Sequence, residues 1–402
     1  MAPVNLLLVG CGMMGARHVR GLGELERVLP GSVRLAAVCD RREDYASDVA
    51  DEAQELFGAR PAIYADIDQA LAGQPALQAV DLVTDPRSHD GLAVKLLGAG
   101  LDVICEKPLA VTVERGRRMV DAAQAAGRIL AVAENNRRDP TNRLARALLG
   151  EGVIGQPNFA LQVLINPANR IIGTAWRHRL AMGGVLLDVA IHVAYILEYL
   201  LGPVTAVTAQ TQQVQHALHG KEFNGKEVDV EVDSEDCCTA LLEFAGGAQG
   251  HVTAHFASPG ETMYKRLLIG SAGTLNLPGD RSGGEIELRR GCERVSGEGL
   301  LELVPEYRLN EAEALLFGQR PAGYELDWPV VDRKLIAAEM HDFVTAVRER
   351  RSPETDGEAG LRSLAIIHAM MESALAGRRV TLDEVLAGRV RAYQNQGENA
   401  AV

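Results

Sequence analysis

Over roughly the first third of the chain, short apolar runs alternate with stretches of helical spacing. Residues 6–9, 35–38, 82–84, 103–105 and 130–133 are essentially apolar, and 47–57, 92–97 and 113–126 are rich in Ala, Leu, Glu and Arg. Fully apolar strands must be covered on both faces, and strands that alternate with helices pair in parallel. The region therefore predicts a doubly wound parallel α/β sheet.

After about Asp139 the pattern changes. Candidate strands at 159–165, 204–212, 239–244, 251–257, 266–269 and 286–289 follow one another without intervening helices. Such a succession predicts an antiparallel or mixed sheet in a second domain. Residues 220–225 and 279–284 read as loops, 334–348 and 360–375 as closing helices, and the polar stretch from Gln394 is expected to fray. The expected division is 1–138 and 139–402.

The first chemical signal sits where the first strand ends. Gly10-Cys11-Gly12-Met13-Met14-Gly15 follows the strand at 6–9 and opens a helix, and Asp40 closes the second strand. Strand, glycine turn, helix, strand and acid make up a dinucleotide-binding fingerprint: tight turn at Gly10, backbone approach to a pyrophosphate at Gly12, helix packing at Gly15, ribose hydroxyls on Asp40. Asp40 favours NAD because a carboxylate repels a 2′-phosphate, whereas Arg41 and Arg42 leave NADP possible.

Cys105-Glu106-Lys107-Pro108 ends the strand at 103–105. Ligands of open α/β sheets lie beyond the carboxyl ends of strands, which makes Lys107 a candidate for chemistry. Only six of the 41 basic residues are lysines, and an ammonium can pass a proton where a guanidinium cannot. A third signal is Asp188 with His192 in the apolar segment 182–192. An i, i+4 spacing puts both on one helix face, where the carboxylate can orient the imidazole as a general base.

Composition narrows the partners. The chain has 402 residues, 47% apolar, enough for two or more domains, and a formal charge of −13 that argues against nucleic acid as a partner. Cys11, Cys39, Cys105, Cys237, Cys238 and Cys292 contain no CxxC pair, which fits free thiols in a reducing compartment. No basic leader segment is present, and the apolar stretch 184–201 carries Asp188, His192 and Glu198. A cytoplasmic protein without a membrane span is expected. His251 and His255 share a strand face but lack a third ligand, so no metal is expected.

These signals, in this order, resemble the Gfo/Idh/MocA oxidoreductases. The resemblance runs along nearly the whole chain and includes the glycine motif, Thr84-Asp85-Pro86-Arg87-Ser88-His89, Glu106-Lys107-Pro108, Gly183-Gly184 leading to Asp188 and His192, His341-Asp342-Phe343, Asp356-Gly357 and residues 373–377. It implies an N-terminal Rossmann domain for NAD over 1–138. It also implies a C-terminal α/β domain over 139–402 with a large, mostly antiparallel, open-faced sheet that binds substrate and forms a homodimer or homotetramer.

On the cofactor side the resemblance points to Gly10, Gly12, Met13, Met14, Gly15, Asp40, Arg41, Thr84, Pro86, His89, Glu106 and Lys107. On the substrate side it points to Lys107, Arg137, Trp176, Arg177, Asp188, His192 and Tyr195, with Lys107, His192 and Asp188 catalytic. The implied reaction is hydride transfer between a secondary hydroxyl of a sugar, glycoside or cyclitol and the nicotinamide. Redox-neutral glycoside cleavage through transient oxidation and a non-catalytic NAD sensor are the alternatives. Tyr195 replaces a frequent Asp of the family, and 213–233 and 296–331 look like insertions suited to a lid or an interface.

Overall fold

The computed structural model describes residues 2–400. The chain divides into two compact units, neither of which is one continuous segment. The first holds the residues up to Ala110, Arg115–Pro140 and Arg308–Leu361; the second holds Val111–Glu114, Thr141–Tyr307 and the residues from Arg362 on.

In the first unit six strands, β1 (Val4–Val9), β2 (Val33–Cys39), β3 (Ala62–Tyr64), β4 (Ala79–Leu82), β5 (Asp102–Glu106) and β6 (Leu130–Ala133), form one sheet in the order β3-β2-β1-β4-β5-β6. Every pairing is parallel. β4, β5 and β6 are buried at every position, as expected of strands covered on both faces. This is the strand order of dinucleotide-binding folds, with the β1 and β4 carboxyl ends at the switch point.

Division by chain order puts residues 308–361 in the second domain, whereas the structure packs them with the first. The Trp328–Glu349 helix lies along α1 (Met13–Val28) so closely that a Cβ on Gly21 would collide with Ile336. Ile336, Met340 and Phe343 share a core with Leu22, Leu25 and Ile104. Each such side chain contributes roughly 2 kcal/mol on burial. Farther along, Val132 N–H donates to Thr355 O at 2.9 Å.

The second unit is built on nine strands in the order β16-β15-β14-β13-β7-β12-β11-β8-β17. Their ranges are β7 (Pro157–Pro167), β8 (Val204–Gln212), β11 (Cys237–Phe244), β12 (Gln249–Ser258), β13 (Met263–Gly270), β14 (Thr274–Leu277), β15 (Glu287–Arg290), β16 (Glu293–Ser296) and β17 (Val380–Thr381), with β9 (Ala217–Lys221) and β10 (Glu227–Glu231) forming a separate hairpin. All neighbours in the large sheet are antiparallel except β7 and β12. One cross-strand row, Ala240, Val252, Gln162, Arg266 and Leu277, is buried. The next row, Leu241, His251, Leu161 and Leu267, lies on the opposite face, where Leu241 is 56% exposed.

Two expectations change here. The loop predicted at 220–225 begins inside β9, because Leu218 and Val230 pack against Ile171 and Val232 and pin the strands around the turn. The tail from Gln394 is docked rather than frayed: it lies in the Ala392–Asn399 helix, Val113 N–H donates to Gln394 Oε1 at 2.8 Å, and Tyr393 N–H donates to Glu372 at 3.1 Å. Leu180–Leu201 is long and apolar enough to cross a membrane, with mean hydropathy 2.0, but 67% of its most apolar window is buried, as in a core helix.

Candidate active site

The glycine turn of the first unit is shaped by what each glycine excludes. Gly10 has φ +98°, and a Cβ there would strike the Val83 carbonyl; a Cβ on Gly15 would strike the Gly10 carbonyl. Gly12 faces open space, with nothing within 4 Å of where its Cβ would be. It caps α1 without any side-chain hydrogen bond, which leaves the first-turn N–H groups to an incoming anion. Tight positions on either side of an open one suit a bound pyrophosphate.

Asp40 follows β2 and is held in two directions. Its Oδ2 accepts from Cys11 N–H at 2.7 Å and its Oδ1 from Arg42 N–H at 2.9 Å. The Arg42 guanidinium is turned onto Asp44 and lies 3.6 Å over the Tyr45 ring, while Arg41 is exposed. Burial and the Asp40 charge push the Cys11 thiol up to about 12, so it stays protonated and inert within the turn.

Thr84 and Pro86 sit where β4 gives way to the Pro86–Gly98 helix, which Asp85 caps by accepting from Arg87 N–H. His89 is fully buried, with Nδ1 3.0 Å from Pro108 O and Nε2 3.1 Å from Thr84 O. Burial depresses its pKa, so the ring is neutral and can donate through one nitrogen only. It ties the loop after β4 to the Glu106-Lys107-Pro108 segment after β5.

Glu106 is the hinge of that segment. Its Oε2 accepts from Lys107 N–H at 2.9 Å and its Oε1 lies 3.1 Å from His18 Nε2. On the ring's other side, His18 Nδ1 is 2.9 Å from Asp81 Oδ2. His18 and Asp81 are completely buried. Burial opposes charge on His18, yet the Asp81 charge and hydrogen bond, with Glu106, hold its pKa well above the usual histidine range. Burial likewise works against Glu106, but His18, Lys107 and Arg17 outweigh it and keep that carboxyl below its ordinary value. Arg137 is buried in the short turn Asn136–Arg138, next to Arg138, which pairs with Asp342 at 2.8 Å and with Glu354.

In the second unit Trp176, Arg177 and Asp188 form one cluster. Arg177 Nε donates to Asp188 Oδ2 at 2.7 Å, its Nη1 to Thr174 Oγ1 at 2.7 Å, and its guanidinium lies 4.4 Å over the Trp176 ring. Asp188 falls in a π-helical turn, Leu186–Ala190, and the regular Ile191–Leu201 helix begins after it. Such turns are uncommon and concentrate at functional positions. The sequence reading put Asp188 and His192 on one regular helix; the structure widens that helix at Asp188 and gives the carboxylate an arginine. His192 is half-buried and Tyr195 is fully buried. His251 and His255 lie beside Leu161 and Ile165 on the open face of the sheet.

Sequence reasoning missed His18 and Asp81. The available signal was a histidine three residues after Gly15, on the same side of α1 as the core residues Val19 and Leu22.

Comparison with known proteins identifies the family. Residues 4–134 match the oxidoreductase family with an NAD-binding Rossmann fold, and residues 146–382 match its C-terminal alpha/beta domain. The chain belongs to the Gfo/Idh/MocA oxidoreductase family. It is 26% identical to D-apiose dehydrogenase of Paraburkholderia graminis, over 93% of this chain and 88% of that protein. It is also 26% identical to levoglucosan dehydrogenase of Pseudarthrobacter phenanthrenivorans, over 96% of this chain and 100% of that one. Among solved structures, an NAD binding oxidoreductase from Klebsiella pneumoniae superposes with a TM-score of 0.77 at 26% identity, covering 95% and 99% of the two chains. As a Gfo/Idh/MocA member the chain is an NAD-dependent oxidoreductase, and the open Gly12 position between two tight glycines fits that cofactor.

Proposed function

We propose that this Gfo/Idh/MocA member transfers a hydride between a secondary hydroxyl of a sugar, glycoside or cyclitol and NAD. The observation that carries the reading is Glu106-Lys107 at the carboxyl end of β5, in the same parallel sheet as the glycine turn after β1. The similarity to dehydrogenases named for apiose and levoglucosan supports the substrate class. NAD supplies the hydride acceptor, and the chain supplies position and proton handling.

In this reading Lys107 donates a hydrogen bond to the reacting hydroxyl, and His192 takes its proton. Asp188 orients the imidazole while Arg177 holds Asp188; Arg137, Trp176 and Tyr195 shape the substrate side. The glycine turn with Met13 and Met14, Asp40, Arg41, Thr84, Pro86, His89 and Glu106 serves the cofactor. The 1–138 region is the cofactor domain, and the large sheet of the 139–402 region forms a homodimer or homotetramer through its open face, in the cytoplasm.

The test is to mix the protein with NAD, and separately NADP, and a panel of sugars, glycosides and cyclitols, following reduced cofactor and released sugar together. Steady NADH accumulation is expected; sugar release without it would replace this reading with glycoside cleavage. Lys107→Ala and His192→Ala should each lower kcat at least about a hundredfold with NADH fluorescence binding retained. Wild-type turnover in either variant would remove that residue from the mechanism.

A further inference from the structure

The glycine turn, the acid after β2 and the Glu106-Lys107 segment after β5 leave one buried pair, His18 and Asp81, without a task. Asp81 from β4, His18 from α1 and Glu106 from β5 form an unbroken hydrogen-bonded line, 2.9 Å and then 3.1 Å, and the last carboxylate holds the backbone N–H of Lys107 at 2.9 Å. We propose that His18 is a positioning residue: clamped by Asp81, it fixes the Glu106 carboxylate, and through it the placement of Lys107.

The geometry gives each atom one job. Glu106 has two carboxylate oxygens, one on the His18 ring and the other on the Lys107 backbone, so its rotamer is set from both ends. Asp81 takes the far ring nitrogen, which orients the ring so that Nε2 faces Glu106. With both ring nitrogens facing carboxylates, the imidazolium satisfies both contacts, whereas a neutral ring donates to only one.

The two carboxylates in contact with the ring, Asp81 and Glu106, favour the cation against its burial. Glu339 from the Trp328–Glu349 helix and Glu134 after β6 add acidic groups around the cluster, with Arg17, Lys107 and Arg138 as the neighbouring cations. Burial raises Glu339 well above its ordinary range, with Glu106 and Glu134 adding to the rise and His18 opposing it. Among the described residues its Oε2 has no hydrogen-bond partner.

A purely structural histidine would lose activity only in step with the stability lost when a replacement leaves Asp81 or Glu106 unpaired. A positioning histidine discriminates between its two nitrogens. Asparagine can reproduce the Nδ1 contact to Asp81 but is too short to reach Glu106; glutamine places its amide where Nε2 stood and keeps the Glu106 contact.

The inference rests on the proposed role of Lys107, and the experiment separates the two. His18→Asn, His18→Gln and Lys107→Ala are compared with wild type in four measurements: thermal unfolding, NADH fluorescence titration, amide hydrogen exchange at Lys107, and kcat and KM on the panel compound turned over fastest. Expected for His18→Asn are Lys107 amide exchange faster by about tenfold and kcat lower by roughly thirtyfold to a hundredfold, because small misplacements of a reacting group are that costly. KM for the panel compound should stay within about twofold. His18→Gln, destabilised to a similar degree, should keep slow exchange and a kcat within about fivefold of wild type.

Equal kcat and equal exchange in the two His18 variants, or losses that follow Tm alone, would overturn the positioning role. If Lys107→Ala retains wild-type turnover, the proposed function fails instead, and the exchange measurement, which needs no substrate, still decides whether His18 holds the segment.

Discussion

The two sheets of this chain differ in how their faces are covered. In the first unit every strand from β4 to β6 is buried on both faces, so the only places for chemistry are the loops after the strands. In the second, β11 alternates buried and exposed positions, and the outward positions of its neighbour β12 are only partly covered. Its candidate chemistry lies instead on turns and a widened helix ahead of β8: Trp176, Arg177, Asp188 and His192. A sheet covered on both faces fixes where function can be; a sheet covered on one face leaves that to irregular segments.

The contrast can be broken most strongly at the glycine turn. Gly10→Ala should cost about 3 kcal/mol of stability and abolish NADH binding, because φ +98° and the Val83 carbonyl leave no room for a Cβ. Gly12→Ala should leave stability within about 1 kcal/mol, since nothing lies within 4 Å, while weakening NADH at least about tenfold. Thermal unfolding with and without NADH separates the two outcomes. Equal effects of both variants on stability would mean that the turn is not shaped around a ligand.

A smaller effect should appear in the second unit with pH. His368 is buried with Nε2 3.1 Å from Val111 O, and burial lowers its pKa to about 4. The folded state keeps the ring neutral while the unfolded chain takes a proton near pH 6.5. The stabilisation is therefore complete above about 6.5 and is lost as pH falls from there toward 4. Between pH 8 and pH 5 wild type should lose about 2 kcal/mol more than His368→Gln, measured by urea unfolding at each pH. Identical pH slopes would show that the ring titrates alike in the folded and unfolded chain and that its burial does not lower its pKa.

The smallest effect on folding, and the sharpest on assembly, is expected on the open face. Leu241→Ser should change monomer stability by less than about 0.5 kcal/mol, because Leu241 is already 56% exposed. The same variant should shift the light-scattering mass toward the monomer. An unchanged assembly would remove this part of the open face from the interface.

Much of the first unit was legible because each of its rules is local. The apolar run at β1, the glycines and Asp40 declare themselves within about forty residues, and Glu106-Lys107 follows from the strand that precedes it. Residues 308–361 were not legible as part of that unit, since only the close approach at Gly21 to Ile336 makes their helix a partner of α1. The Arg177–Asp188 pair was hidden for a related reason: eleven positions separate the two residues, and a π-helical turn interrupts the periodicity that links Asp188 to His192.

By itself the sequence determined the alternation of elements, the parallel and antiparallel character of the two sheets, the dinucleotide turn and the residue types available for proton transfer. These follow from periods of two and 3.6 residues and from glycine sterics, which act over a few positions. Only the tertiary structure decided that His18, Asp81 and Glu106 share one buried line, that Glu339 lies beside it, and that the tail after Arg391 is docked through Tyr393 and Gln394. Burial and charge pairing depend on what the rest of the chain brings within a few ångströms, and no short window of sequence contains that.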